Sequence, residues 1–353
     1  MKRVLILVLC VFLVLSLGAC TPAQDSETSN TEENAGIIAD ETQRENDGES
    51  FGSDSHYPVD ITTYNYEGNE IITTYDKAPE KVLAVYQGSI ETMLSLGLSD
   101  HIVAAAGLDN EVDDSLKADF KTLNYLDAFS PPKEYVIMLE PDMILSWGSL
   151  FGEKNLGDVG YWIEKGCNTY INSNTRRGNH NRTLENEYTD ILNLGKIFNV
   201  EDKAEGIVKE MKDEIQNVIN KTQDNAEKKT VLVLEPIGGK ITNYGKATLG
   251  GNMVEALGAE LASPDVDDMG KEDIVSANPD VIFVVYMAYS GENGEDVKQS
   301  QLDLILNDPA LASLKAIQKN NVYPIMLGDM YASGVRTMDG IVNFAKGIYP
   351  ELY

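Results

Sequence analysis

Short apolar segments alternate with amphipathic segments along most of the chain, from Tyr57 onward. Two β-branched segments, 61–64 and 71–75, flank Glu67-Gly68-Asn69, and this pattern predicts a β-hairpin with a glycine turn. The apolar runs that follow have the length of buried strands, and stretches with helical spacing separate several of them. The further strands that we predict are 81–86, 102–106, 143–147, 168–172, 231–235, 241–244, 281–286 and 321–325. Strands that alternate with helices indicate an α/β fold built on parallel sheets.

Residues 183–229 break this alternation, because their apolar positions recur with helical spacing throughout. A helix of about 25 residues would span ~37 Å, which is enough to bridge two domains. On either side, 139–147 and 276–285 share one pattern of helix, Pro-Asp and buried strand. We therefore expect an N-terminal α/β lobe over 57–182, a helical linker over 183–229 and a C-terminal α/β lobe over 230–353. Two lobes of similar build around one linker imply a ligand cleft between them.

The N-terminus has the pattern of an export signal over 1–19, with two basic residues, Lys2 and Arg3, before a short apolar run. That run ends on Leu17-Gly18-Ala19-Cys20, which resembles the lipobox of bacterial lipoproteins and implies that Cys20 is lipidated. An ordinary signal with a coincidental cysteine is the alternative. Residues 20–56 are polar and acidic, so we expect a disordered tether. The protein would then be anchored by lipid alone on the outer face of the bacterial cytoplasmic membrane.

The charge balance limits the class of partner. The chain has 28 Lys+Arg against 57 Asp+Glu, a formal net charge of −29. A generally basic nucleic-acid-binding surface is excluded, because phosphates would meet a field of their own sign. Three cysteines, with Cys10 and Cys20 in the signal region, allow no disulfide framework, and Cys167 is expected to be a small core residue.

The motifs of common enzymes are absent from the sequence. Gly245-Lys246 hints at a phosphate-binding loop, but Lys240 and Ala247 break that motif. The three histidines, His56, His101 and His180, are far apart, so neither a metal site nor a histidine-based triad is predicted. We expect a protein that is not an enzyme and needs no cofactor. A lipid-anchored hydrolase and a structural or adhesive lipoprotein are the alternatives from other classes.

Aromatic and arginine residues lie at strand ends and in loops, where parallel α/β sheets bind ligands. Together they favour a cleft for a sizeable molecule that is partly aromatic or anionic. Arg182 belongs to the same pattern. The ligand-binding residues that we predict are Tyr86, Trp147, Arg176, Arg177, Tyr244, Tyr286, Tyr331 and Arg336.

Five segments in order, 78–85, 90–97, 100–103, 139–145 and 249–258, resemble the lipid-anchored substrate-binding proteins of ABC importers for ferric siderophores, haem and vitamin B12. The match to this periplasmic binding protein 2 family covers about 57–352. It implies two Rossmann-like lobes joined by a single long α-helix, with little closure around the ligand.

The resemblance also implies a role and partners. The chain would capture a small-molecule metal chelate as a monomer and deliver it to an ABC permease and its ATPase. Glu134 and Glu255 match the glutamates that dock such proteins on their permease. Trp147 occupies the place of a Trp in the B12-binding member, while the tyrosines and arginines suit a ferric siderophore. We therefore expect a siderophore receptor, with a corrinoid or haem receptor as the alternative.

Overall fold

The computed structural model describes residues 56–224, 227–289 and 291–353. The predicted export signal, Cys20 and the predicted tether up to residue 55 lie outside the described residues. Among the helices that the structure describes, none has the length and apolar character needed to cross a membrane.

The predicted hairpin is confirmed. Strands β1 (Val59–Tyr64) and β2 (Glu70–Tyr75) pair antiparallel, with Thr63 opposite Ile71. The turn needs a glycine, because Gly68 has a φ of 90° and a Cβ there would overlap the backbone carbonyl of Arg177. This close approach fixes the hairpin against the loop that follows the N-terminal sheet.

The N-terminal lobe contains a parallel sheet in the order β5-β4-β3-β6-β7. Strands β3 and β6 are buried along their whole length, which explains their continuous apolar sequences. The strands of this N-terminal sheet are β3 (Val82–Val85), β4 (Ile102–Ala106), β5 (Tyr125–Leu126), β6 (Met143–Ser146) and β7 (Asn168–Ile171). Its helices are α1 (Gln87–Ser95), α2 (Lys117–Phe120), α3 (Lys133–Leu139) and α4 (Val159–Glu164).

Two helices connect this sheet to the next one along the chain, α5 (Leu184–Phe198) and α6 (Glu201–Thr222). Asn199, with a φ of 54°, ends α5 and turns the chain into α6. The buried residues of α6, among them Ala204, Val208 and Met211, recur with helical spacing. The helical content predicted for 183–229 is therefore present, whereas the role of one long helix as the spacer between lobes stays a prediction.

The C-terminal lobe contains a second parallel sheet in the order β10-β8-β11-β12, with β9 antiparallel to β8. Its strands are β8 (Thr230–Ile237), β9 (Lys240–Asn243), β10 (Glu260–Leu261), β11 (Val281–Tyr286) and β12 (Val322–Met326). Its helices are α7 (Leu249–Ala256), α8 (Lys271–Ala277), α9 (Gly294–Leu306), α10 (Lys315–Gln318), α11 (Leu327–Met330) and α12 (Thr337–Ile348). Both sheets belong to one compact unit.

The Pro-Asp pattern shared by the two lobes has a structural reason. The carboxylate of Asp142, just before β6, accepts a hydrogen bond from the backbone N–H of Lys81 at 2.8 Å. Asp280, just before β11, accepts one from the backbone N–H of Thr230 at 3.1 Å. In each lobe the aspartate thus satisfies an unpaired N–H at the start of the neighbouring parallel strand.

Candidate functional site

The candidate site lies at the topological switch point of each sheet, where the chain connections leave in opposite directions along the sheet. In the N-terminal lobe β3 lies between β4 and β6, and Tyr86 and Trp147 follow the carboxyl ends of β3 and β6. In the C-terminal lobe β8 lies between β10 and β11, and Tyr286 is the last residue of β11. Crevices of open α/β sheets occur at such switch points, so both lobes present aromatic residues where a ligand is expected.

Three of the predicted residues form an aromatic cluster that crosses from one lobe to the other. The ring centroids of Tyr86 and Trp147 are 3.6 Å apart, and those of Trp147 and Tyr331 are 5.8 Å apart. Tyr86 has a φ of 85°, a backbone conformation that non-glycine residues rarely adopt. Backbone strain of this kind is frequent at functional sites. It persists only where the surrounding structure holds the residue in that conformation.

Two cavities border the aromatic cluster. The first, against Tyr86, Trp147 and Tyr331, has a volume of about 20 Å³, room for about one water molecule. The second is a groove of about 390 Å³, within the range of small-molecule sites. Its polar and aromatic lining residues are Glu235, Tyr244, Tyr286, Tyr289, Gln301 and Tyr331. The space for a ligand therefore lies on the C-terminal side of the cluster.

The tyrosines of the site act as neutral hydrogen-bonding groups. Tyr86 donates to the Asp109 carboxylate, and Tyr244 donates to Glu235 Oε2 at 2.6 Å. Burial is the main cause that raises the pKa of both tyrosines above its usual range, and burial also raises the pKa of Tyr286. Asp109 and Glu235 were not among the predicted site residues.

The predicted arginines have different placements. The guanidinium carbon of Arg176 lies 4.9 Å from the ring centroid of Tyr64, and that of Arg177 lies 4.4 Å from Tyr66. Both stack on the hairpin region, and Arg176 also donates to the backbone carbonyl of Ser173 at 2.7 Å. The structure thus brings them against β1 and the turn that follows it, not onto the aromatic cluster.

Arg182 is the arginine that contacts the cluster. Its guanidinium carbon lies 3.7 Å from the ring centroid of Tyr331. Its buried Nη1 has no hydrogen-bond partner among the described residues, and the same holds for the buried Nε1 of Trp147. Two donors next to the cluster are therefore available to acceptor atoms of a ligand or to water.

Arg336 forms a buried ion pair and lines neither of the two cavities. Its Nε and Nη2 bind the two carboxylate oxygens of Glu91 at 2.5 and 2.9 Å, and its side chain is 10% exposed. Nη2 also donates to the backbone carbonyl of Glu111 at 2.5 Å. The ligand-binding role predicted for Arg336 has no support from this geometry, because these contacts engage its guanidinium within the protein.

The same ion pair lies in a tight contact between the lobes. Helix α1 packs on a 3₁₀ turn, Gly334–Arg336, and the backbone N–H of Gly334 donates to Glu187 Oε2 at 2.7 Å. A Cβ on Gly334, where φ is 56°, would lie 2.8 Å from the carbonyl oxygen of Gly88. Glycine at this position permits the close approach that buries Glu91 and Arg336.

The two predicted docking glutamates are exposed. Glu134 lies in the first turn of α3, and the apolar side chains of Ile137 and Met138 on the same helix are 45% and 77% exposed. Glu255 lies near the end of α7. The neighbouring residues Asn252 and Ala256 line a groove of about 590 Å³.

The described residues provide neither an activated cysteine nor a metal-binding cluster. Cys167 is buried, and burial, followed by the charge of Asp142, raises the pKa of its thiol to about 12. A thiol of that pKa is not a nucleophile near neutral pH. Among the described residues, no group of three or more His, Cys, Asp or Glu could hold a metal ion.

Comparisons with known proteins show which family this chain resembles. The family model described as periplasmic binding protein matches residues 82–326. An ABC transporter substrate-binding lipoprotein of Bacillus subtilis, YvrC, is 24% identical over 79% of this chain and 83% of its own length. The petrobactin-binding protein YclQ of the same organism is 26% identical over 74% of this chain and 79% of its own length.

A solved structure gives the same picture of the fold. A periplasmic binding protein from Veillonella parvula is 30% identical, with a TM-score of 0.78. The match covers 84% of this chain and 93% of that chain. The arrangement of two parallel sheets is therefore that of a known binding-protein fold.

Proposed function

The chain belongs to the periplasmic binding protein family, and from this premise we propose that it captures a ferric siderophore outside the cell and delivers it to an ABC permease. It is an ABC transporter substrate-binding protein, and its family is one of binding proteins rather than enzymes. The ligand, the lipid anchor at Cys20 and the contact with the permease are the parts that we propose. The name of YvrC, a lipoprotein, supports the anchor.

One observation carries the proposal, the aromatic cluster of Tyr86, Trp147 and Tyr331 beside a groove of about 390 Å³. Aromatic rings offer large apolar faces, and the neighbouring hydroxyls offer directional hydrogen bonds. A ferric siderophore has both an apolar or aromatic periphery and oxygen acceptors around the metal. The name of YclQ, which binds petrobactin, supports a chelate of this class.

A corrinoid receptor is the second candidate. The observation that favours it is Trp147, whose indole lies in the cleft with its Nε1 buried and without a partner among the described residues. A planar corrin would stack on that ring. Titration with cobalamin beside a ferric siderophore separates the two candidates, because the preferred ligand binds more tightly.

We expect Trp147→Ala to weaken binding of a ferric siderophore by about tenfold, since it removes the central ring of the cluster. The measurement is isothermal titration calorimetry, which does not depend on tryptophan fluorescence. Tyr161→Ala is the matched control, because Tyr161 is a half-buried aromatic residue of α4 that contacts Lys133 away from the cleft. Equal affinity in the wild type and Trp147→Ala would contradict this placement of the ligand.

The remaining parts of the proposal concern delivery. Exposed Glu134 and Glu255, one in each lobe, would each contact arginines of a permease subunit. On α3 the exposed side chains of Ile137 and Met138 would add apolar contact around Glu134. Helix α6, with 22 residues, would hold the two lobes apart as the linking helix.

A further inference from the structure

The charges around the two cavities are predominantly negative. Asp109 lines the small cavity and Glu235 lines the groove. Among the described residues that line either cavity there is no lysine or arginine. After the larger effect of burial, the charges of Asp329 and Glu295 raise the pKa of Tyr286, while burial raises the pKa of Asp329 itself to about 7. A ligand in the groove therefore meets more negative than positive charge.

The arginines do not reverse this balance. Glu91 engages Arg336 in the buried ion pair, and Arg176 and Arg177 stack on the rings of Tyr64 and Tyr66. Arg182 remains, with its guanidinium on Tyr331 and Nη1 free for one acceptor. One guanidinium at the edge of the cluster can bind one carbonyl or hydroxamate oxygen, but it does not neutralise a complex with several negative charges.

The aromatic rings of the cluster favour a positively charged ligand over a negatively charged one. The faces of Tyr86, Trp147 and Tyr331 carry negative quadrupole potential, which attracts cations and not anions. The same carboxylates of Asp109 and Glu235 accept hydrogen bonds from Tyr86 and Tyr244, so their negative charge lies next to those hydroxyls. Like charges brought together in a partly desolvated groove are strongly unfavourable.

On the basis of the proposed function, we infer that the cleft takes a ferric complex of zero or positive net charge, such as a trihydroxamate chelate, and discriminates against tricatecholate complexes. Three hydroxamate groups neutralise the ferric ion, whereas three doubly charged catecholates leave the complex a trianion. A pendant ammonium group on such a chelate would be attracted by Glu235 or Asp109.

The test compares three probes on the full-length protein by fluorescence quenching of Trp147. The probes are a neutral ferric trihydroxamate, a ferric trihydroxamate with one free ammonium group, and a ferric tricatecholate. We expect the first two to bind at least about tenfold more tightly than the third. Trp147→Phe supplies the background signal of Trp162, a buried residue of α4 whose indole N–H donates to the carbonyl of Leu156.

Charge-neutral variants test the cause of this preference. Glu235→Gln and Asp109→Asn keep an acceptor for Tyr244 and Tyr86, so the fold is maintained while the carboxylate charge is removed. Each should reduce the ratio of ammonium-chelate to tricatecholate affinity by about threefold or more. Glu164→Gln, an exposed carboxylate of α4, should leave the ratio unchanged.

The possible outcomes separate the two proposals. If the tricatecholate binds as tightly as the trihydroxamates, or more tightly, the inference about charge is wrong while the proposed siderophore function stands. If the preference is present but survives in both charge-neutral variants, Glu235 and Asp109 are not its cause and the inference fails in that form. If none of the three iron chelates binds, the proposed function is wrong and the inference fails with it.

Discussion

Replacing Arg336 with Met is expected to lower the free energy of unfolding by about 3–5 kcal/mol, because it leaves the buried Glu91 carboxylate without its partner. Glu91 is fully buried, and Arg336 supplies two hydrogen bonds to its carboxylate oxygens, at 2.5 and 2.9 Å. Gln87 Nε2 also donates to Glu91 Oε1 at 2.8 Å, but an amide does not balance the charge. Urea unfolding, followed by far-UV circular dichroism, measures the loss.

Two further variants show that the buried pair is the cause. Glu91→Leu combined with Arg336→Met removes both charges and should be more stable than Arg336→Met alone, even if the single variant does not fold. Lys209→Met removes the exposed pair between Lys209 and Asp213 on α6 and should leave the unfolding midpoint nearly unchanged. A wild-type midpoint for Arg336→Met would contradict the assignment of this pair as a contact that holds the lobes together.

The second large effect concerns transport. Glu134→Ala combined with Glu255→Ala should abolish uptake of a radiolabelled ferric siderophore while leaving its affinity for the purified protein unchanged. Each glutamate is exposed and neither lines the two cavities of the cleft, so we expect ligand binding to be unchanged by their loss. Under the proposed docking, two charge contacts act together on one partner, so removal of both should have a severe effect on uptake.

The uptake experiment needs a control with equal loss of charge. Glu164→Ala combined with Glu272→Ala also removes one exposed glutamate from a helix of each lobe, and we expect normal uptake. Surface levels of each variant are measured in the same cells. Uptake by the Glu134 and Glu255 double variant at the wild-type rate would show that the docking surface lies elsewhere.

Much of the fold could be predicted from the spacing of apolar residues along the sequence. The hairpin and the predicted strands of both sheets are present, because continuous apolar runs and β-branched residues report burial directly. Strands β5 and β10 were missed, since each has two residues and leaves no periodic signal. Helix α12 was also not predicted from its residues, although it packs on β11 and β12.

The site was predictable in part. The rule that ligands bind at the carboxyl ends of parallel strands pointed to Tyr86, Trp147 and Tyr286, and the same rule applied to the predicted strand 231–235 would have pointed to Glu235, its last residue. The partners of the arginines were not predictable, because Arg336 pairs with a carboxylate 245 residues away along the chain. An arginine in a sequence fits a ligand site and a buried ion pair equally well, and only tertiary packing distinguishes them.

A cleft between Trp147 and Tyr286 that holds a cargo and leaves it unaltered is tested most directly by native mass spectrometry of the purified protein with the ferric chelate that binds most tightly among the three probes. We expect one intact chelate bound to each chain and recovery of the same chelate after denaturation. Absence of a complex, or recovery of a chemically altered chelate, would contradict this expectation.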